Sequence, residues 1–279
     1  MSYLGAHISN NPKYLLESTK IILKQGGNLV QIFVDPDRVA HKSSDYSDFK
    51  KFITDNKMKF VVHASYTINL SRDWDQYSPG IHQFISEINA AYDLGAEGIV
   101  VHMGKRLELD KAEAYNNMYM ALLFVHDQTK KKPIKILLET STGQGSEICY
   151  KIEEFAYFFK KVSRNRNKEI SERFGVCIDT CHIFAAGYDL TTKSSVYMYI
   201  ESFEELIGLR YINLIHLNDS KKELGSNVDR HANIGKGHIG KIGLLEFVRY
   251  FKKLNIPIIL ETPGENILDD LKLIINVKI

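Results

Sequence analysis

Covalent cross-links have no place in this chain. Its 279 residues include three cysteines, Cys149, Cys177 and Cys181. An odd number without a C-x-x-C spacing excludes a disulfide framework and a thiolate zinc knuckle, and predicts reduced thiols in a core. Long apolar runs are missing as well. Stretches such as Ile256 to Leu260 fall far short of the ~20 residues a membrane helix needs, and strand-like sequence starts at Tyr3 with no apolar leader. An intracellular protein is therefore expected, with no membrane partner. Charge of one sign is scarce: 36 Lys and Arg against 34 Asp and Glu give a net +2, too little by itself to argue for a polyanionic partner. No Pro/Gly/Ser-rich linker divides the chain, and its length fits one α/β barrel as well as two small domains.

What is present is an alternation. Short apolar runs rich in β-branched residues recur at Tyr3 to Ile8, Leu29 to Val34, Lys59 to His63, Gly98 to Met103, Ile134 to Glu139, Phe174 to Asp179, Tyr211 to Leu217 and Pro257 to Glu261. Between them lie patterns of 3.6-residue period, such as Ile81, Phe84, Ile85, Ile88 and Tyr92. Taking His7, Phe33, His63, His102, Glu139, Asp179, His216 and Glu261 as the last residues, every gap between strands is long enough for one βα unit. Eight such units predict an α/β fold, a single (β/α)8 TIM barrel over residues 1–279, because closure leaves no strand edge unpaired. An open Rossmann-like sheet is the alternative.

Catalytic groups of such barrels sit at the C-terminal ends of the strands. Setting His7 aside, six of the eight expected ends carry a metal-binding residue: His63, His102, Glu139, Asp179, His216 and Glu261. Two positions earlier, on the same face, stand Val61, Val100, Leu137, Cys177, Leu214 and Ile259, as a filled barrel interior requires. His182 follows Asp179 at i+3, and Asp229 and His231 form a D-x-H pair in the loop after the seventh strand. These nine donors, five imidazoles and four carboxylates, are too many for one ion. Two or three ions are implied, Zn2+ first and Mn2+ or Fe2+ as substitutes. Three divalent ions against four carboxylates would leave the mouth positive and attractive to phosphate, which favours metal-assisted hydrolysis of a phosphodiester.

The glycines Gly235, Gly237 and Gly240 match G-x-G-x-x-G but follow a long loop, so they do not signal a dinucleotide and no organic cofactor is expected. Lying just before a helix expected near Lys241, they could cradle a phosphate. The basic runs Lys130 to Lys132 and Lys160 to Lys168 precede strands, hence fall on the opposite barrel face as solvated surface, whereas Lys221, Lys222, Arg230 and Lys236 share the loop that bears Asp229.

The motifs GVCIDTCHIFAAGYD (Gly175 to Asp189), HLNDSKKELGSNVDRHANIGKGHIG (His216 to Gly240) and LLETSTGQGSE (Leu137 to Glu147) resemble those of the endonuclease IV family of apurinic/apyrimidinic endonucleases. GAHIS, ASYTINL and ILET extend the likeness across nearly the whole chain in family order. The resemblance implies a TIM barrel with three zinc ions that cleaves double-stranded DNA 5′ to an abasic site, leaving a 3′-hydroxyl and a 5′-deoxyribose phosphate. It implies His63 and His102 on one zinc, with Glu139 bridging to a second held by Asp179, His216 and Glu261, and His182, Asp229 and His231 on a third. Glu261 would accept a proton during in-line attack on phosphorus, and Glu139 would share the catalytic centre. His7 resembles the family's first-strand histidine, orienting neighbours without ligating. Tyr66 stands where the family inserts an aromatic into the duplex, and Arg38 is what remains of a more basic loop over Asp35 to Ala40. Arg38, Tyr66, Lys221, Arg230 and Lys236 are thus the expected DNA contacts, on a chain acting as a monomer.

Two rivals share this pattern. A single-metal sugar isomerase or epimerase would use Glu139, Asp179, His216 and Glu261 alone, leaving the other five donors without a duty. A catalytically silent damage-binding protein would keep the ligands without turnover.

Overall fold

A computed structural model describes residues 2–264 and 266–279. Eight parallel strands close into the expected barrel: β1 (Leu4–His7), β2 (Leu29–Ile32), β3 (Lys59–His63), β4 (Gly98–His102), β5 (Lys135–Glu139), β6 (Phe174–Asp179), β7 (Ile212–His216) and, after a short antiparallel hairpin of β8 (Asp219–Ser220) and β9 (His231–Ala232), β10 (Ile258–Leu260). The ring is sealed by β1 pairing with both β10 and β2. Gly5 permits that seam, since a Cβ there would lie 1.6 Å from the Leu29 carbonyl oxygen.

Around the barrel run α1 (Pro12–Lys24), α2 (Pro36–His41), α3 (Ser47–Asp55), α4 (Pro79–Leu94), α5 (Lys111–Gln128), α6 (Ile152–Ser163), α7 (Lys168–Arg173), α8 (Thr180–Ala185), α9 (Lys193–Leu206), α10 (Gly240–Lys253) and α11 (Ile267–Ile275). Among the described residues no helix is long and apolar enough to cross a membrane. Local signals set several helix ends: the Asp110 side chain caps α5 at the Glu113 amide, Thr192 and Ser195 form a capping box on α9, and Gly95 at φ +89 ends α4.

Two apolar clusters result. The larger fills the space between strands and helices, whereas Leu29, Val61, Val100, Leu137, Cys177, Leu214 and Ile259 form a separate cluster inside the barrel. Six of these seven are the residues that strand periodicity places beneath the candidate ligands. Two boundaries shift: β2 stops at Ile32, one residue before Phe33, and Glu261 lies just beyond β10. The two basic runs sit before β5 and β6, where Lys130 pairs with Asp127, Lys132 with Asp93 and Lys168 with Glu172.

Candidate metal centre

All nine candidate donors meet at the C-terminal mouth of the barrel. The donor atoms of Glu139, Asp179, His216 and Glu261 lie within 4.8 Å of one another, as do those of His182, Asp229 and His231 and those of His63, Glu139 and His216. His102 joins them, its Nε2 3.1 Å from Glu139 Oε2. His63, Glu139, Asp179, His182 and His216 are fully buried, and His102 is open toward solvent.

Hydrogen bonds at the back of the rings decide which nitrogen faces the pocket. The Nδ1–H of His63 donates to the Ala64 carbonyl at 2.7 Å, that of His182 to Thr140 at 2.8 Å and that of His231 to Glu261 at 3.3 Å. Each Nε2 is left as a lone pair aimed inward. His63 Nε2 then lies 3.3 Å from Glu139 Oε2, and the Nε2 atoms of His182 and His231 lie 3.2 and 3.1 Å from the two Asp229 oxygens. Lone pairs set against carboxylate oxygens repel unless a cation lies between them. Glu139 Oε2 and His231 Nε2 are in fact buried without a hydrogen-bond partner, so this donor set fits metal ions on its own chemistry.

Electrostatics agree. Burial opposes ionisation of Glu139, but His216 and His102 outweigh it and hold the carboxyl well below its usual range. Glu261, facing His216 and His7, and Asp229, facing His182 and His231, are lowered likewise against their burial. Asp179 is the exception, pushed up because burial wins there. Burial also opposes charge on His231, yet Asp179 and Asp229 raise it to about 9. The carboxylates of this pocket demand positive charge, which divalent ions between them and the imidazoles would supply. Burial pushes the thiols of Cys177 and Cys181 up to about 12, and Cys181 lies grouped with Asp179 and His231.

Several groups that sequence reasoning missed hold the donors in place. Gln31, wholly buried on β2, donates from Nε2 to Glu261 Oε1 at 2.6 Å, reaches His7 Nδ1 at 3.0 Å and accepts from His216 Nε2 at 2.8 Å. Asn218 donates to Asp179 Oδ2 at 2.6 Å and accepts from the Glu261 amide at 3.0 Å. Thr140 Oγ1 accepts from the Asp179 amide. For Gln31 and Asn218 the available signal was position, two residues beyond an inward apolar side chain (Leu29) or an inward ligand (His216). His7 lies 3.7 Å from Glu261 Oε1 and outside every ligand group, and burial lowers its pKa.

The glycine-rich segment is not a phosphate cradle. Buried Asp219 accepts the amides of Gly235 at 2.9 Å, Gly237 at 3.1 Å, Ile239 at 2.9 Å and Gly240 at 3.3 Å, and a Cβ on Gly237 would lie 2.3 Å from the Ser220 carbonyl oxygen. The amides that would receive a phosphate at the head of α10 are spent on a carboxylate of the same chain.

Of the expected DNA contacts, Tyr66 stands against the mouth residues. Tyr66 is 64% exposed, with its ring 5.2 Å from Phe33, 5.1 Å from His63 and 5.2 Å from His102. Lys221 and Arg230 face each other across the start of the hairpin loop, and both are exposed, as is Lys236. The Asp35 to Ala40 stretch is no loop: Asp35 caps α2 and Pro36 opens it, and Arg38 is paired internally, 3.3 Å from Asp45 and 3.8 Å from Asp35.

Comparison with known proteins follows the same line. A family model described as xylose isomerase-like TIM barrel matches residues 20–276. A Mycoplasma mobile protein named probable endonuclease 4 is 36% identical over 274 residues, covering 95% of this chain and 93% of its own. A Thermosipho melanesiensis protein of the same name is 35% identical over 289 residues, covering 99% and 98%. The chain belongs to the endonuclease IV family. Endonuclease IV from Thermus thermophilus superposes with a TM-score of 0.77 at 26% identity, over 98% of this chain and 97% of that one. A D-tagatose 3-epimerase-like protein reaches 0.69 at 19% identity, over 99% and 98%, a likeness of fold alone. As an endonuclease IV relative the chain is an enzyme of the nuclease class, and its clustered donors are those of a metal centre.

Proposed function

We propose that the chain hydrolyses the phosphodiester bond 5′ to an abasic site in duplex DNA, leaving a 3′-hydroxyl and a 5′-deoxyribose phosphate. The observation that carries this reading is the set of lone pairs turned onto carboxylates in one mouth. His63, His102 and Glu139 would hold one zinc, Glu139 with Asp179, His216 and Glu261 a second, and His182, Asp229 and His231 a third, with Mn2+ or Fe2+ as substitutes. Bound there, such ions activate water and neutralise charge developing on the phosphoryl and leaving oxygens. The chain supplies the rest. Glu261, held ionised, accepts the proton of the attacking water, while Glu139 keeps the first two donor groups together. Lys221, Arg230 and Lys236 neutralise backbone phosphates, and Arg38 joins them once freed from its acidic partners. Tyr66 enters the gap left when the abasic sugar leaves the helix, a displacement that sacrifices little stacking because no base is attached. One chain contains every group required, so it works as a monomer.

Purified protein is expected to carry close to three zinc ions and to nick a duplex containing a tetrahydrofuran abasic analogue without added magnesium. One ion per chain with sugar turnover and no nicking overturns the proposal in favour of an isomerase. Tight binding of the abasic duplex by fully loaded protein that never nicks it overturns the proposal in favour of a damage-binding protein.

A further inference from the structure

β1 and β2 supply none of the nine donors, yet the inward face of β2 carries a fully buried amide, Gln31, at the level where the other strands carry ligands. Its orientation follows from its neighbours. An ionised Glu261 can only accept, so the amide nitrogen must be the atom 2.6 Å from Glu261 Oε1. Its second hydrogen is directed at His7 Nδ1, 3.0 Å away. The carbonyl oxygen therefore faces His216 Nε2 at 2.8 Å, and a carbonyl there requires Nε2–H. With that hydrogen fixed, the His216 lone pair is on Nδ1, which lies 2.9 Å from Glu139 Oε1 and 3.2 Å from Glu261 Oε2.

We propose that Gln31 is a positioning residue for the reaction: one amide holds His216 in the tautomer that offers Nδ1 to the metal centre, and clamps Glu261 by Oε1 so that Oε2 stays turned toward His216. This inference rests on the metal-centre reading above. His7 is then the latch of the amide, because its Nδ1 takes the second hydrogen and makes the flipped amide unfavourable. A ring nitrogen of a ligating histidine held in this way commonly governs metal affinity by about 10–100-fold.

The test uses the whole zinc-loaded chain with histidine labelled in 15N, and two substitutions. Gln31→Met keeps length and removes donors and acceptor together. It is expected to lose the slowly exchanging His216 Nε2–H signal and to release one zinc per chain to a chelator about 10–100-fold more readily than wild type, the other two ions unchanged. Gln31→Glu keeps an acceptor for His216 but withdraws the donor from Glu261. It is expected to retain the Nε2–H signal and to nick abasic duplex at least tenfold more slowly. A Gln31→Met chain with wild-type zinc release and an unchanged His216 signal shows that Gln31 only fills space and overturns the proposal. Should that variant fail to fold, a Gln31→Glu chain nicking within twofold of wild type overturns it equally. Wild-type protein that retains no zinc, manganese or iron would overturn the metal-centre reading itself, a failure recognisable before either variant is made.

Discussion

Two sets of residues on the same strands, one inward-facing step apart, have opposite chemistry. The lower set, Leu29, Val61, Val100, Leu137, Cys177, Leu214 and Ile259, is a dry plug. The upper set, Gln31, His63, His102, Glu139, Asp179, His216 and Glu261, is polar throughout and mostly buried. Identical backbone geometry serves both, so the difference lies wholly in the side chains. The plug fixes the strands without burying a polar group, and its dryness strengthens every charge above it, since lone pairs on a low-dielectric floor have no water to relieve them. Stability and reactivity are thereby written on alternate floors of one barrel.

That division can be attacked from either floor. Glu261→Gln, in the upper set, is expected to cut nicking by about a thousandfold or more while abasic-duplex binding persists; equal rates in a single-turnover assay would remove Glu261 from the chemistry. Leu137→Ala, directly beneath Glu139, is expected to cost about 3 kcal/mol in urea unfolding with zinc content and nicking per folded molecule held within twofold. A variant equally stable but poor in zinc would show that the floors are not separable. Tyr66→Ala, above both, should weaken abasic-duplex binding about tenfold, in line with the loss of one stacking partner, and unchanged affinity by anisotropy titration would return Tyr66 to the ordinary surface. Cys177→Val is the smallest change: about 1 kcal/mol or less in stability and no loss of zinc. A drop in metal count there would make the thiol a ligand and break the apolar character of the lower floor.

Much of this was legible in the sequence because period-two alternation is a strong signal wherever a barrel is filled. The strands ending at His63, His102, Glu139, Asp179 and His216 coincide with the expected ones, and the same alternation identifies the plug beneath them. Gln31 escapes a sequence reading because a neutral amide does not resemble a ligand, and because the apolar run continues past it to Phe33, one inward step further. The Asp219 anchor escapes for a different reason. Its partners lie 16 to 21 residues ahead, so only tertiary closure reveals that the glycine amides already have an anion. At Asp35 and Pro36 the cap and the helix-opening proline are in plain view, but likeness to a DNA-contact loop masks them, and the pairing of Arg38 with Asp45 depends on a helix that such a loop does not contain.

The Asp219 anchor also bears on how this enzyme could diverge. With an internal carboxylate standing where a bound phosphate would otherwise organise the strand-seven excursion, the shape of that excursion is decided during folding and not by the arrival of substrate. The exposed tip from Lys222 to Leu224 is thus free to be rewritten for a different groove, lesion or strand context, while Gly225 and Asn227, tied to Phe184, Ala185 and Thr142, and the anchored base go on presenting Asp229 and His231 unchanged.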